Sequence, residues 1–333
     1  MKSNLRLWWV ASLIMIAFSF SCATTPDPAE ETDEPVRQEV QEEPEEEAVA
    51  DLAPDPEIQA VPDEVLRSGA WVEANKKDPS VVLIHVGNDR ESWEQSHISG
   101  QAYVKFTDIV VGGFEEGFLL PPLDELRVTF EEAGVRDGAQ IILTGDMEGL
   151  MATRAFLSLE VLGLAGNVAL LDGGLEQWRD DQRPVNSEPY TITAGEITTE
   201  PRLDLIVDAD VVQEHIDDIG VELVDARPPD EFSGEVAGPG VERAGHIPSA
   251  INVFWKSGLQ LEDRPLILER EELRDTYGRA GVVEDADIIA YCRTGVQASF
   301  GYFLARHLDR DVVVYDGSFV DWSNDPDREV ARP

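Results

Sequence analysis

The chain has 333 residues, with 67 Asp and Glu against 26 Lys and Arg, a formal net charge of −41 and two cysteines. This length allows two domains of ordinary size, and 42% hydrophobic residues can bury real cores, which excludes a wholly disordered chain. The negative charge would repel a phosphate backbone and excludes nucleic acid as a partner. Two cysteines cannot build a disulfide framework or a Cys-rich zinc site.

Residues 1–22 have the pattern of a secretory signal. Lys2 and Arg6 precede an apolar run of 14 residues at 7–20. The run is shorter than the roughly 20 residues that span a bilayer as a helix. A positive end, a short apolar run and small residues after it are typical of a signal peptide. Plain cleavage after the run and an uncleaved anchor are the alternatives.

Cys22 resembles the lipid-modified cysteine of bacterial lipoproteins, although Ser19 stands where that motif usually has leucine. The resemblance implies a membrane anchor through a lipid on Cys22. With Ala23 next in the chain, it implies a periplasm-facing protein of the cell envelope, held at the outer membrane.

An acidic segment follows. Residues 26–58 contain 14 Asp or Glu, one Arg and scattered prolines, without apolar periodicity. Such a segment repels itself and stays extended, so we predict a disordered linker over residues 23–58. An interaction tail is the alternative.

An internal repeat organises the rest of the chain. Three pairs of matching segments share one offset of 147 residues, and flanking landmarks agree within a few positions. The segments are 124–127 with 271–274, 133–135 with 280–282 and 141–142 with 288–289, and the landmarks are His97 with His246, Asp172 with Asp316 and Trp178 with Trp322. We therefore predict two copies of one domain, over residues 59–186 and 205–330.

Each copy alternates short apolar runs with helical patterns. This alternation predicts an α/β fold, in which each copy is a mostly parallel sheet flanked by helices. The predicted strands are 81–86, 141–144 and 168–171 in the first copy and 222–225, 288–291 and 312–315 in the second, and the second copy's predicted helices are 269–277 and 296–308.

Cys292 directly follows the predicted strand 288–291, and a helix begins at Val296. Sites in open α/β sheets gather at the carboxyl ends of strands. The helix N-terminus and the adjacent Arg293 both favour negative charge, so we predict a lowered thiol pKa and a stabilised thiolate. Gly295 lets the backbone curl around an anion. A small buried cysteine at a strand end is the alternative.

Several segments of the second copy resemble the signatures of the tandem rhodanese sulfurtransferases. They are Val-Asp-Ala-Arg-Pro-Pro-Asp-Glu-Phe at 224–232, Ala-Gly-His-Ile-Pro-Ser-Ala-Ile-Asn-Val at 244–253, Tyr-Cys-Arg-Thr-Gly-Val at 291–296 and Tyr-Asp-Gly-Ser-Phe-Val-Asp-Trp at 315–322. In that family two rhodanese-like domains pack together and only the C-terminal one is active. The resemblance thus implies a degenerate first domain and a catalytic second one.

The resemblance further implies that Cys292 is the nucleophile and carries a persulfide. Sulfur would pass from a small anionic donor, thiosulfate or 3-mercaptopyruvate, to a thiol or cyanide acceptor by covalent catalysis. Arg227 and Arg293 would hold the donor. The rest of the substrate-binding loop would be Thr294, Gly295, Val296 and Gln297. No metal or organic cofactor is required, and the sequence identifies no protein partner.

Two features of the loop bear on the donor. Thr294 stands where thiosulfate-using members often carry a second cationic residue. Members that prefer 3-mercaptopyruvate usually have glycine where Arg293 stands, so the loop is closer to the thiosulfate type.

Four residues outside the loop have other expected roles. Trp255 and Trp322 either wall the pocket or pack in the core. We expect His246 to stabilise a turn and Asp225 to anchor the nearby loop.

The first copy lacks this chemistry. Gly145 occupies the position equivalent to Cys292, and Val86-Gly87-Asn88 replaces Asp-Ala-Arg. Asp146 and Glu148 would repel an anion, so we predict a structural role for this copy; a metal or partner role for the two acids is the alternative.

Two other functions could use a cysteine in this place. A cysteine-loop phosphatase would need Arg six positions after the cysteine, and position 298 is Ala. A non-catalytic, membrane-tethered binding module remains the alternative to a sulfurtransferase.

Overall fold

A computed structural model describes residues 64–260 and 266–332 of the chain. The predicted signal peptide, Cys22 and the linker over 23–58 lie outside these residues. Across the described ranges, no helix combines the length and the apolar character needed to cross a membrane.

The first copy contains a sheet of five parallel strands and a separate antiparallel hairpin. Its strands are β1 (Leu66–Arg67), β2 (Val81–Gly87), β3 (Ala102–Lys105), β4 (Val111–Gly113), β5 (Gly117–Leu119), β6 (Gln140–Gly145) and β7 (Val168–Leu171). Its helices are α1 (Gly69–Asn75), α2 (Arg90–Gln95), α3 (Leu123–Glu132), α4 (Leu150–Leu159) and α5 (Gly174–Asp180). The sheet order is β1-β7-β6-β2-β3, and β4 pairs with β5.

The second copy repeats this plan. Its strands are β8 (Ile206–Val207), β9 (Val221–Asp225), β10 (Ile251–Asn252), β11 (Leu259–Gln260), β12 (Leu266–Ile267), β13 (Asp287–Tyr291) and β14 (Val312–Tyr315). Its helices are α6 (Ala209–Glu214), α7 (Pro229–Ser233), α8 (Arg270–Ala280), α9 (Val296–His307) and α10 (Ser318–Asn324). The parallel order β10-β9-β13-β14-β8 matches the first sheet strand for strand, so the predicted α/β fold with two parallel sheets is confirmed.

Strand β13, in the middle of the second sheet, explains where the cysteine lies. Its side chains point alternately to the two faces, and both faces are covered. Ile288, Ala290 and Cys292 join the core that faces the first copy, whereas Ile289 and Tyr291 join the core on the opposite face. The strand therefore delivers Cys292 to the side of the sheet on which the other copy packs.

Helices α4 and α9 form the centre of the contact between the copies. Every residue of α4 is buried, because its own sheet covers one side and α9 covers the other. Phe156 meets Phe303 edge to face, with 5.4 Å between the ring centroids. One hydrophobic core thus runs through both copies. The carboxyl end of β13 and the start of α9 lie beside residues of the first copy.

Candidate active site

The turn that carries Cys292 joins β13 to α9. Gly295 precedes the helix with φ +93°, a left-handed conformation that side chains rarely adopt. A Cβ at this position would lie 2.8 Å from the carbonyl oxygen of Asp316, so glycine is required by space as well as by conformation. The turn is also tied to the following strand–helix junction, since the Ser318 hydroxyl accepts from the Cys292 amide at 3.2 Å.

The sulfur of Cys292 is free and fully buried, at 0% exposure. The amide of Gly295 donates to Sγ at 3.1 Å, and the amides of Thr294 and Ala298 also favour negative charge on the sulfur. A ring of amide donors without competing water is an arrangement that can hold an anionic sulfur atom.

The predicted lowering of the thiol pKa is wrong. Burial raises the pKa of Cys292 above its ordinary value, because the charged thiolate would lose its water. The three amides lower the pKa, but by less than burial raises it, and the nearby Asp225 raises it a little further. The helix start therefore limits the cost of ionisation without making the thiolate the resting form.

Arg293 lies at the edge of the site, with its side chain 18% exposed. Its Nη1 donates to Oε1 of Glu231 at 2.7 Å, and its guanidinium lies 5.9 Å from the ring of Phe114 in the first copy. Among the described residues, Nε of Arg293 and Oε2 of Glu231 are buried without a hydrogen-bond partner. Burial raises the pKa of Glu231, while Arg293 and Arg227 lower it. The positive charge of Arg293 is therefore matched by a carboxylate.

Arg227, the other predicted donor-binding arginine, is buried against protein partners, and its role in donor binding stays a prediction. Its side chain is 1% exposed and forms an ion pair with Asp225, with 2.6 Å between Nη2 and Oδ2. The same Nη2 donates to the carbonyl oxygen of Gly245 at 2.8 Å, and the guanidinium lies 4.0 Å from the ring of Phe319. A buried guanidinium with these contacts braces the loop after β9, and a donor would have to displace a buried carboxylate to reach it.

The expectations for four other residues agree with the structure. Asp225 accepts from both the amide and the side chain of Arg227 and so anchors the loop. His246 stacks on Phe232 and its Nδ1 lies 2.9 Å from that residue's carbonyl oxygen, as expected of a residue that stabilises a turn. For the tryptophans, the core alternative holds, since Trp255 is 4% exposed and Trp322 is 0% exposed.

The remaining loop residues differ in what they offer. Thr294 is buried, and its carbonyl oxygen accepts from the amide of Phe118 in the first copy at 2.8 Å. Val296 and Gln297 are partly exposed at the first turn of α9. Oε1 of Gln297 is buried and has no partner within the described part of the chain, which leaves it available to a ligand.

The equivalent turn of the first copy holds no nucleophile. Asp146 accepts from the amide of Asn88 at 3.0 Å and lies 3.2 Å from Nε2 of His85. Glu148 pairs with Lys256 of the second copy at 2.9 Å. In residues 64–260 and 266–332, no group of three His, Cys, Asp or Glu side chains could hold a metal ion. Asp146 and Glu148 thus each bond to a protein partner, Asn88 and Lys256 respectively.

The sequence pattern assigned no role in the site to three residues that the structure places there: Glu231, Asp316 and Arg154. Asp316 follows β14, the neighbour of β13, and its place at the carboxyl end of a strand was a usable signal. Arg154 is the only charged residue in the ten of α4, which was also a signal. Glu231 lies inside the signature segment 224–232, but nothing in that segment indicated that it pairs with Arg293.

Comparison with known proteins identifies the class to which this fold and turn belong. The sequence profile of a family described as "Rhodanese-like domain" matches residues 68–181 and 208–325. The chain belongs to the rhodanese family and contains two tandem copies of its domain, as predicted.

Curated relatives extend over most of the chain. A Mycobacterium tuberculosis protein named "Putative thiosulfate sulfurtransferase" is 31% identical over 270 residues, which cover 78% of this chain and 95% of the relative. A Thermus thermophilus protein, "Sulfur carrier protein TtuD", is 31% identical over 280 residues, covering 78% and 94%. These names agree with the prediction of a rhodanese-type transferase.

Solved structures share the fold. SseA from Escherichia coli, described as a 3-mercaptopyruvate sulfotransferase, aligns with a TM-score of 0.66 and 24% identity over 78% of this chain and 100% of its own. An ergothioneine biosynthesis enzyme from Chlorobium limicola aligns with a TM-score of 0.71 and 22% identity over 80% and 70%. At these identities the likeness concerns architecture alone.

The buried thiol predicts an unusual pH dependence. We expect alkylation of Cys292 by iodoacetamide to increase with pH around a midpoint above the ordinary thiol value of about 8.5. The reason is that the thiol stays neutral below its raised pKa. The mass of the peptide that contains Cys292 measures the reaction, and the urea-unfolded chain provides the ordinary midpoint. A midpoint below that of the unfolded chain would show that the amides and Arg293 outweigh burial.

Proposed function

We propose that the second copy transfers sulfane sulfur from a small anionic donor, through a persulfide on Cys292, to a thiophilic acceptor. The observation that supports this proposal is the free thiol of Cys292 inside a ring of backbone amides, at the strand end where the family's matched segment runs. Thiosulfate is the donor that the loop favours, and 3-mercaptopyruvate is the second candidate.

The proposed reaction has two steps. The Cys292 thiolate attacks the outer sulfur of thiosulfate, the sulfur–sulfur bond breaks, and sulfite leaves with the electron pair. The acceptor then attacks the terminal sulfur of the persulfide, which yields thiocyanate from cyanide or a new persulfide from a thiol, and the thiolate returns.

The residues around the sulfur support both steps. The amides of Thr294 and Gly295 can stabilise negative charge on the attacking sulfur and on the persulfide that replaces it. A thiol with a raised pKa is ionised less often, but its thiolate is intrinsically more nucleophilic. Exclusion of water also protects the persulfide from unwanted attack.

A mass measurement tests the proposal. Treatment of the chain with thiosulfate should add one sulfur atom to the peptide that contains Cys292, and cyanide should remove it. Sulfite should be released from thiosulfate in the presence of either acceptor, whereas pyruvate release from 3-mercaptopyruvate would identify the other donor. The Cys292→Ser variant should lose both the added mass and the turnover.

Two results would oppose the proposal. Full activity in Cys292→Ser would remove this residue as the nucleophile. A wild-type chain that gains no sulfur on Cys292 from either donor would instead favour the non-catalytic binding module.

Glu231 supplies a test of donor binding, because it pairs with Arg293, the partly exposed cation that follows Cys292 in the chain. A sulfonate or carboxylate that binds Arg293 through Nη1 must displace Glu231 from that nitrogen. We expect Glu231→Gln to lower the KM for thiosulfate by about tenfold, which corresponds to about 1.4 kcal/mol, with kcat unchanged. In the wild type, KM should fall as pH drops, since a protonated Glu231 releases Arg293, and this dependence should disappear in the variant.

The matched control is Glu235→Gln. Glu235 is exposed in the same segment, so its substitution removes the same charge. Equal KM changes in both variants would point to long-range charge repulsion and would contradict displacement of Glu231 by the donor.

We also propose that a lipid on Cys22 anchors the protein to the outer membrane, facing the periplasm. The support is the signal-like pattern of residues 1–22 and the acidic linker that follows. Labelled palmitate supplied to a bacterial host should enter the wild type and Cys292→Ser but not Cys22→Ser. Equal labelling of all three chains would refute the anchor.

A further inference from the structure

A buried arginine of the first copy reaches the turn that carries Cys292. Arg154 is 0% exposed. Its Nη1 lies 2.6 Å from Oδ1 of Asp316, and Nη2 lies 3.2 Å from Oδ2. Nη2 also donates to the carbonyl oxygen of Phe118 at 2.7 Å, and Nη1 lies 3.4 Å from Oγ of Ser299. One guanidinium thus joins α4, the β4–β5 hairpin, the strand end of β14 and the first turns of α9.

Each of these partners also contacts the turn itself. Oδ1 of Asp316 lies so near Gly295 that a Cβ there would be 2.8 Å away. The Ser299 hydroxyl donates to the carbonyl oxygen of Gly295 at 3.1 Å. The amide of Phe118 donates to the carbonyl oxygen of Thr294 at 2.8 Å. The carbonyl groups of Thr294 and Gly295 are therefore held from outside, while amides of the same turn point at Sγ.

We propose that Arg154 is a positioning residue for sulfur transfer, which fixes the Cys292 turn by holding Asp316, Ser299 and the carbonyl of Phe118 together. The inference rests on the proposed function, and it gives the first copy a task in a reaction that it cannot perform itself. Arg154 touches neither substrate nor sulfur, so its effect must pass through the orientation of the Thr294 and Gly295 amides.

A guanidinium suits this task better than an ammonium group. Its planar fork can hold a carboxylate with two nitrogens while another hydrogen bond reaches a carbonyl oxygen. Lysine at this position could keep the charge opposite Asp316, but it could not hold the carboxylate and the Phe118 carbonyl in the same fixed geometry.

A second ion pair between the copies, in which only Glu160 is fully buried, provides the control. Glu160 is six residues beyond Arg154, about 9 Å along the helix direction. It accepts from the hydroxyl of Tyr302 and lies 3.1 Å from Nε of Arg306, both on α9. It therefore joins the same two copies, and its side chain bonds to none of residues 292–295 in the structure described.

The experiment compares Arg154→Met, Arg154→Lys and Glu160→Gln in the full chain. We expect kcat for sulfite release from thiosulfate to fall by about 100-fold in Arg154→Met, as for a small misplacement of reacting groups, with KM unchanged. Arg154→Lys should recover part of the loss. Glu160→Gln should lower the melting temperature while kcat per folded molecule stays at the wild-type value.

Iodoacetamide separates this inference from the proposed function, because alkylation of Cys292 needs no sulfur donor. If Arg154 positions the turn, the alkylation rate of Cys292 should change in both Arg154 variants but not in Glu160→Gln. If Arg154→Met does not fold, Ser299→Ala removes one link to Gly295 and should lower kcat more than it lowers the melting temperature.

Each outcome decides a different point. If the wild type forms no persulfide, the proposed function is wrong, and the alkylation rates still test the positioning role of Arg154. An active wild type whose Arg154 variants lose activity only in proportion to unfolded protein, as Glu160→Gln does, would overturn the positioning role.

Discussion

Burial of a thiol that must become an anion is the constraint on which the rest of the site depends. Inside a protein an unpaired charge is costly, so charged groups near the sulfur are found in pairs. The pairs are Arg227 with Asp225, Arg293 with Glu231 and Arg154 with Asp316. Because each cation is matched, the cations do not ionise the thiol, and stabilisation of negative sulfur falls to the uncharged amides of the turn.

The same constraint explains why two copies persist although one has lost its chemistry. The turn after β13 has carbonyl groups that must be hydrogen-bonded once water is excluded. The hairpin and α4 of the first copy supply those bonds through Phe118 and Arg154, and the common core between α4 and α9 fixes their positions. A single copy would leave these polar groups and the apolar face of α9 to solvent.

The strands could be predicted from sequence because their signal is local. Buried runs such as Val168–Leu171 and Val312–Tyr315 have the predicted bounds, and the constant offset between the copies reflects equal strand order in the two sheets. The roles of the arginines were harder to predict, because the role of a buried charged side chain depends on which residue pairs with it. Glu231 is 62 residues from Arg293 and Asp316 is 162 residues from Arg154, so neither pair is visible as a motif. The predicted direction of the thiol pKa shift was wrong for a related reason, because the depth at which Cys292 is buried depends on both copies together.

A paired cation is still suited to anion recognition. Arg293 has already lost most of its water and is held by Glu231, so a donor that replaces the carboxylate exchanges one anionic partner for another. Such an exchange avoids most of the desolvation that an unpaired, hydrated arginine would undergo on binding. The released Glu231 can take up a proton, since burial raises its pKa. Glu231 would then act as a stand-in for the donor, which restricts binding to anions that compete with a carboxylate for Arg293.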